Sequence, residues 1–245
     1  MDTTYNYSPN FESKKRKPDQ IKFIIFHYTG MKKESQAIER LTSVNSKVSC
    51  HYLIKNNGEI VVMVPDLYEA WHAGVSSWKN FKSLNKNSIG IEVSNPGHEF
   101  NYNRFSKKQI QSIKKLSRFL IKKYKIHQKN ILGHSDIAPN RKKDPGEKFP
   151  WKYLAKFRIG NWNSLTVKTL VKNRRKKISP KDKKLFFGYL SKIGYSIKNP
   201  PKINKDEFSI FLISAFQRRF RQELINGKID QECLLISENL AKKLH

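Results

Sequence analysis

The stretch Gly133-His134-Ser135-Asp136-Ile137-Ala138-Pro139-Asn140-Arg141-Lys142-Lys143-Asp144-Pro145-Gly146 gathers a histidine, two aspartates, an arginine and two lysines on one loop. Its proline and glycine exclude a helix interior, so the side chains should be held in fixed directions around a turn. Neutral His and ionised Asp are ligands for a borderline ion such as zinc, and catalytic zinc takes three protein ligands while keeping a position open for water. His134 and Asp144 are two candidates. The third must come from elsewhere, and His27, at the end of the apolar run Ile21 to Phe26, stands where open α/β sheets place ligands. Glu92 is the single carboxylate in Ser88-Ile89-Gly90-Ile91-Glu92-Val93-Ser94. An acid buried in an apolar strand is costly unless it is paired or its pKa rises, which makes Glu92 the general-base candidate. The irregular segment from Trp71-His72 to Trp78 suits a groove wall. Taken singly, the loop also fits a solvated surface turn, His27 a hydrogen-bonded strand end, and the two tryptophans pins for a long loop.

The elements that must position these residues follow from periodicity. Residues 1–20 are polar, ending in Lys14-Lys15-Arg16-Lys17-Pro18, and read as a mobile or loosely draped arm. Ile21 to Phe26 reads as a buried central strand and Glu34 to Ser43 as a helix. Val48 to Ile54 and Glu59 to Val64 form a hairpin joined at Asn56-Asn57-Gly58, which puts an antiparallel component into the sheet. Ser106 caps a long amphipathic helix running to Tyr124, Ile131 to Gly133 is a short strand delivering His134, and Pro150 to Phe157 is a closing helix. Beyond residue 160 comes a basic connector, Leu165 to Lys177, then helices over about 180–193, 205–221 and 230–244 that make a small bundle. The expectation is an α/β fold with a mixed central β-sheet flanked by helices, plus a C-terminal three-helix bundle. Its domains are an arm (1–20), a catalytic domain (21–160), a connector (161–178) and a helical domain (179–245).

Composition sets the outer bounds. With 245 residues, 38% hydrophobic content, 15 Phe and 10 Tyr, the chain can bury a sizeable core. No apolar run approaches the roughly 20 residues of a membrane span. Met1-Asp2-Thr3-Thr4 shows no signal-peptide pattern. Cys50 and Cys233 are expected to be free core thiols. The net charge of +29 attracts polyanions, yet the basic excess is spread over both halves and the aromatics fall on core stripes. A nucleic-acid partner is therefore not expected.

Five blocks, Phe26-His27-Tyr28-Thr29, Cys50-His51-Tyr52, Ala70-Trp71-His72-Ala73-Gly74-Val75, Ile89-Gly90-Ile91-Glu92 and the loop from Gly133 to Gly146, resemble in order the zinc N-acetylmuramoyl-L-alanine amidases of the AmiD/AmpD type. That family shares its fold with peptidoglycan recognition proteins and phage lysozyme-amidases, and the likeness covers roughly residues 20–158. It implies one Zn²⁺ on His27, His134 and Asp144, with Glu92 as catalytic carboxylate and Lys142 as the cation that stabilises the transition state. Arg141 matches a substrate-contacting arginine, and Trp71 and His72 would line the substrate groove. His51 is left a structural hydrogen bond within the hairpin, while His98, His127 and Lys143 are left without a role. The implied reaction cleaves the amide between the lactyl group of N-acetylmuramic acid and L-alanine in peptidoglycan or muropeptides, by a monomer without a membrane span. Such a substrate favours the cell envelope, the periplasm or secretion, with the cytoplasm still open. A peptidoglycan-binding relative without activity would have lost a ligand, and all three are present. The bundle resembles the peptidoglycan-binding-like domain appended in AmiD proteins and is expected to hold the enzyme on the polymeric wall or to brace the groove; a chain ended near residue 160 should still cleave soluble muropeptides and be retained less on polymer.

Overall fold

The computed structural model describes residues 3–198 and 203–243. In chain order the strands are β1 (Thr4–Tyr5), β2 (Phe11–Glu12), β3 (Phe23–Tyr28), β4 (Tyr52–Ile54), β5 (Ile60–Val62), β6 (Glu69–Ala70), β7 (Ser77–Trp78), β8 (Phe81–Lys82), β9 (Ser88–Val93) and β10 (Ile131–Gly133). The helices are α1 (Glu34–Thr42), α2 (Lys107–Tyr124), α3 (His134–Ile137), α4 (Trp151–Ala155), α5 (Val167–Asn173), α6 (Pro180–Ile193), α7 (Lys205–Phe220) and α8 (Gln231–Lys242). Six strands make one mixed sheet in the order β1-β5-β4-β9-β3-β10. Only β4 and β5 are antiparallel neighbours, joined through the Asn-Asn-Gly turn in which Gly58 takes a φ of 88°. None of the described helices is long and apolar enough to cross a membrane.

Alternation along the central strands divides them between two cores. Ile24 and Phe26 of β3 and Ile89, Ile91 and Val93 of β9 pack with Ile113, Leu116 and Leu120 of α2. Ser106 caps α2 reciprocally: its hydroxyl accepts from Gln109 N–H, and the Gln109 carboxamide oxygen accepts from Ser106 N–H. On the opposite face, Phe23 and Ile25 join Phe186 and Leu190 of α6, Leu212 and Phe216 of α7 and Leu240 of α8. The C-terminal helices are therefore the second helical layer over the sheet and share its core. Covering a side chain of this size is worth about 1.5–3 kcal/mol, so this contact dominates how the helices sit.

Three expectations change. Residues 3–20 are not loosely draped: β1 extends the sheet beside β5, β2 pairs with β6, and the buried Arg16 guanidinium donates to the carbonyls of Asn85, Ser88 and Asp66. A polar segment hid a cation whose carbonyl partners offset its desolvation. The basic connector contains α5, capped by Thr166 and followed within the connector by Arg174, which grips the buried Glu232 carboxylate with two hydrogen bonds of 2.7 and 2.8 Å. The closing helix is only Trp151–Ala155, with Pro150 at its cap. Cys50 and Cys233 are buried free thiols. The expected end of the last helix at residue 244 lies outside the described residues.

Candidate active site

Parallel pairing of β3 with β9 sets His27 opposite Glu92, and pairing of β3 with β10 sets Gly133 opposite Phe26. His134, the next residue, therefore arrives beside His27. It opens the single helical turn α3, which the proline-rich loop was not expected to contain; Asp136 stabilises that turn by accepting from Gly133 N–H at 2.8 Å. The loop then returns Asp144. His27 Nδ1 and His134 Nδ1 lie 2.9 Å apart, and each is 3.0 Å from Asp144 Oδ2.

The far nitrogens explain how two imidazoles can face each other. His134 Nε2 lies 3.1 Å from the Ala73 carbonyl, which only an N–H can satisfy, so Nδ1 carries the lone pair. His27 Nε2 lies 3.1 Å from His72 Nδ1, His72 Nε2 lies 3.1 Å from Ser88 Oγ, and Ser88 Oγ donates to the Leu84 carbonyl at 2.6 Å. Donation runs one way along this chain and ends on a carbonyl, leaving His27 Nδ1 as an acceptor too. Two lone pairs and a carboxylate oxygen about one hydrogen-bond length apart fit a zinc ion about 2.0–2.2 Å from each. Among the described residues His27, His134 and Asp144 form the one group able to hold a metal.

On β9 the site face carries Ser88, Gly90 and Glu92. A Cβ on Gly90 would lie 2.4 Å from His72 Cγ, so the glycine makes the seat on which the His72 ring rests. His72 lines the cleft and is also a buried partner of His27, with Nδ1 facing His27 and Nε2 facing Ser88. Arg141 lines the cleft as well: its Nη2 donates to Ala73 O at 2.8 Å and Val75 O at 2.6 Å and its Nε to Val75 O at 3.1 Å, so it staples one cleft wall.

Burial, with His134 beside it, lowers the His27 pKa to about 4. Burial opposes ionisation of Asp144, but the His134 and His27 rings outweigh it and hold the carboxyl well below the usual range. Burial and then the Asp144 charge push Glu92 up to about 8, against Lys142 and Arg40. Glu92 Oε2 has no hydrogen-bond partner among the described residues.

These groups open into a cleft of about 450 Å³ lined by His27, Trp71, His72, Glu92, His134, Arg141, Lys142 and Asp144, whereas Trp78, at the end of the segment read as a groove wall, is buried in the core. Arg40, Lys143 and His98 also line it. His98, given no role from sequence, has Nδ1 2.9 Å from the Tyr28 hydroxyl and Nε2 3.0 Å from Glu147 Oε2, bracing one wall. Its signal was Pro96-Gly97-His98 just past the C-terminal end of β9. His51 is structural, but its Nδ1 accepts from Gly90 N–H at 3.0 Å, tying the hairpin to β9 rather than closing on itself. His127 accepts from Lys129 N–H at 3.1 Å, capping a short 3₁₀ turn.

Parallel strands, with the turn and loop that follow the last of them, deliver two imidazoles and two carboxylates to one polar cleft, the build of a hydrolytic enzyme. A family model described as N-acetylmuramoyl-L-alanine amidase matches residues 17–147, and the chain belongs to that family. N-acetylmuramoyl-L-alanine amidase AmiD of Escherichia coli (strain K12) is 35% identical over 236 residues, 91% of this chain and 83% of that protein. The 1,6-anhydro-N-acetylmuramyl-L-alanine amidase AmpD of the same organism is 42% identical over 113 residues, 46% of this chain and 58% of its own length. Among solved structures, E. coli AmiD in complex with the substrate anhydro-N-acetylmuramic acid-L-Ala-D-gamma-Glu-L-Lys superposes with a TM-score of 0.79 at 35% identity, covering 91% of this chain and 90% of that one. AmpDh3 from Pseudomonas aeruginosa in complex with anhydromuramic pentapeptide gives 0.79 at 30% identity, with 96% and 97% covered.

Proposed function

We propose that this chain is a zinc-dependent amidase that hydrolyses the bond between the lactyl group of N-acetylmuramic acid and L-alanine in muropeptides and peptidoglycan. The observation that carries the reading is the triangle of His27 Nδ1, His134 Nδ1 and Asp144 Oδ2 beside a carboxylate, Glu92, with an oxygen that none of the described residues occupies. A zinc ion held by those three residues would supply Lewis-acid chemistry to the carbonyl and the attacking water. Glu92 takes the proton of that water and delivers it to the leaving nitrogen of L-alanine, a task open to a carboxylate oxygen that none of the described residues engages. Lys142 supplies positive charge to the oxyanion, a contribution typically worth about 3–4 kcal/mol. Trp71 and Arg141 bound the substrate groove, while Arg40 and Lys143 on the cleft lining attract the carboxylates of the stem peptide. Substrates bearing 1,6-anhydro-muramic acid are favoured by the ligands of the two superposable relatives. The working unit is a monomer acting on cell-wall material in the envelope or outside the cell.

The test is to incubate zinc-loaded protein with an anhydro-muropeptide and with purified sacculi, and to identify fragments by mass spectrometry. Release of a peptide with a free L-alanine amine supports the reading. Binding of either substrate without cleavage overturns it in favour of a recognition protein.

A further inference from the structure

Asp136 sits two residues after His134, is buried, and is not a metal ligand. Its carboxylate is met from three directions. Oδ2 accepts from Gly133 N–H at 2.8 Å and from Arg219 Nη1 at 2.6 Å, while Oδ1 accepts from the Tyr195 hydroxyl at 2.6 Å. Arg219 lies on α7 and Tyr195 just after α6, so two of the three donors belong to the C-terminal layer. The same guanidinium donates through Nη2 to the Ile131 carbonyl at 2.8 Å and stacks 3.8 Å over the Trp151 ring. One side chain thus grips β10 at its first residue and, through Asp136, the helical turn at its far end. That strand and turn carry His134.

We infer that Arg219, assisted by Tyr195, is a positioning residue for the metal site: the C-terminal helices hold the α3 turn in the orientation that aims His134 Nδ1 at His27 and Asp144. The inference rests on the zinc reading above. A buried carboxylate deprived of its cation is left uncompensated, and it relieves that state by turning toward water. That movement loosens the Asp136 bond to Gly133 N–H and with it the one-turn helix. The C-terminal layer then has a role in the chemistry distinct from retention on polymer, exerted through a pair 83 residues apart in the chain.

The experiment uses the full chain. Zinc affinity is measured by competition with a chromophoric chelator for wild type, Arg219→Met, Tyr195→Phe and the double variant Arg219→Met/Asp136→Asn, with folding checked by circular dichroism. The visible spectrum of the Co²⁺ form serves as a second readout of coordination. Arg219→Met is expected to weaken zinc about 10–100-fold, the range for loss of an outer partner of a metal ligand. Tyr195→Phe should weaken it several-fold. The double variant should recover much of the affinity, since a neutral Asn needs no counter-charge while its side-chain oxygen still accepts from Gly133 N–H. A merely structural role would lower melting temperature while leaving affinity and spectrum unchanged, and that result in Arg219→Met overturns the inference. If Arg219→Met does not fold, Tyr195→Phe decides: wild-type affinity there overturns the inference and weakened affinity supports it. Failure of wild type itself to bind zinc would instead strike the proposed function.

Discussion

His27 on β3 and Glu92 on β9 are register partners in adjacent parallel strands, so the proposed metal ligand and the proposed base are tied by ladder hydrogen bonds rather than by a loop. Backbone pairing fixes their spacing, and substitution of one side chain should leave the other in place. Glu92→Ala is accordingly expected to retain zinc at full occupancy while losing about 10²–10⁴ in turnover. Zinc content by atomic emission and kcat on an anhydro-muropeptide check this; turnover at the wild-type level removes Glu92 from the mechanism.

The same carboxylate makes metal-free stability depend on pH. Its pKa rises on folding from 4.5 to about 8, so the native state binds a proton that the unfolded chain has released. That contribution is fully present below 4.5 and is lost as pH rises through about 8. Melting scans of chelator-treated protein should show wild type losing ground to Glu92→Gln between pH 4.5 and pH 8, at roughly 2–4 °C for each kcal/mol. Parallel pH profiles for the two proteins would contradict this assignment.

Because His72 Nδ1 accepts the Nε2–H of His27, its loss should act on the metal before it acts on substrate. His72→Ala is expected to weaken zinc about 10–100-fold with the fold retained. Gly90→Ala should produce the same defect by unseating the His72 ring. A His72→Ala protein with normal zinc affinity and a raised KM would make His72 a substrate contact instead.

Ending the chain near residue 160 should not leave a working catalytic domain. Phe23 and Ile25 would lose the cover of α6, α7 and α8, and Asp136 would lose Arg219 and Tyr195. Low soluble yield or lost zinc affinity is the expected outcome. A soluble truncated protein with full muropeptide activity would return the C-terminal helices to an appended module.

Much of this molecule was readable from the chain. Apolar runs located the strands around Phe26 and Leu53 and alternation the strand around Ile91, Asn57-Gly58 located the hairpin, and Ser106 located the start of α2, because such signals act over a few residues. The loop from Gly133 to Gly146 announced ligand chemistry through residue types, a strand end pointed to His27 and a lone acid in an apolar strand to Glu92, and likeness to a family joined them. Tertiary structure decided what covers what. An apolar stripe on α7 declares that it must be buried, not that Phe23 and Ile25 wait beneath it. The partners of Arg16, Asp136, Arg219 and His72 could not be read because they are remote in the chain, from the Asn85 carbonyl for Arg16 to the His27 imidazole for His72. A buried charge is tolerable only when its counterpart arrives in three dimensions, and that pairing exists only once the sheet and both helical layers have closed.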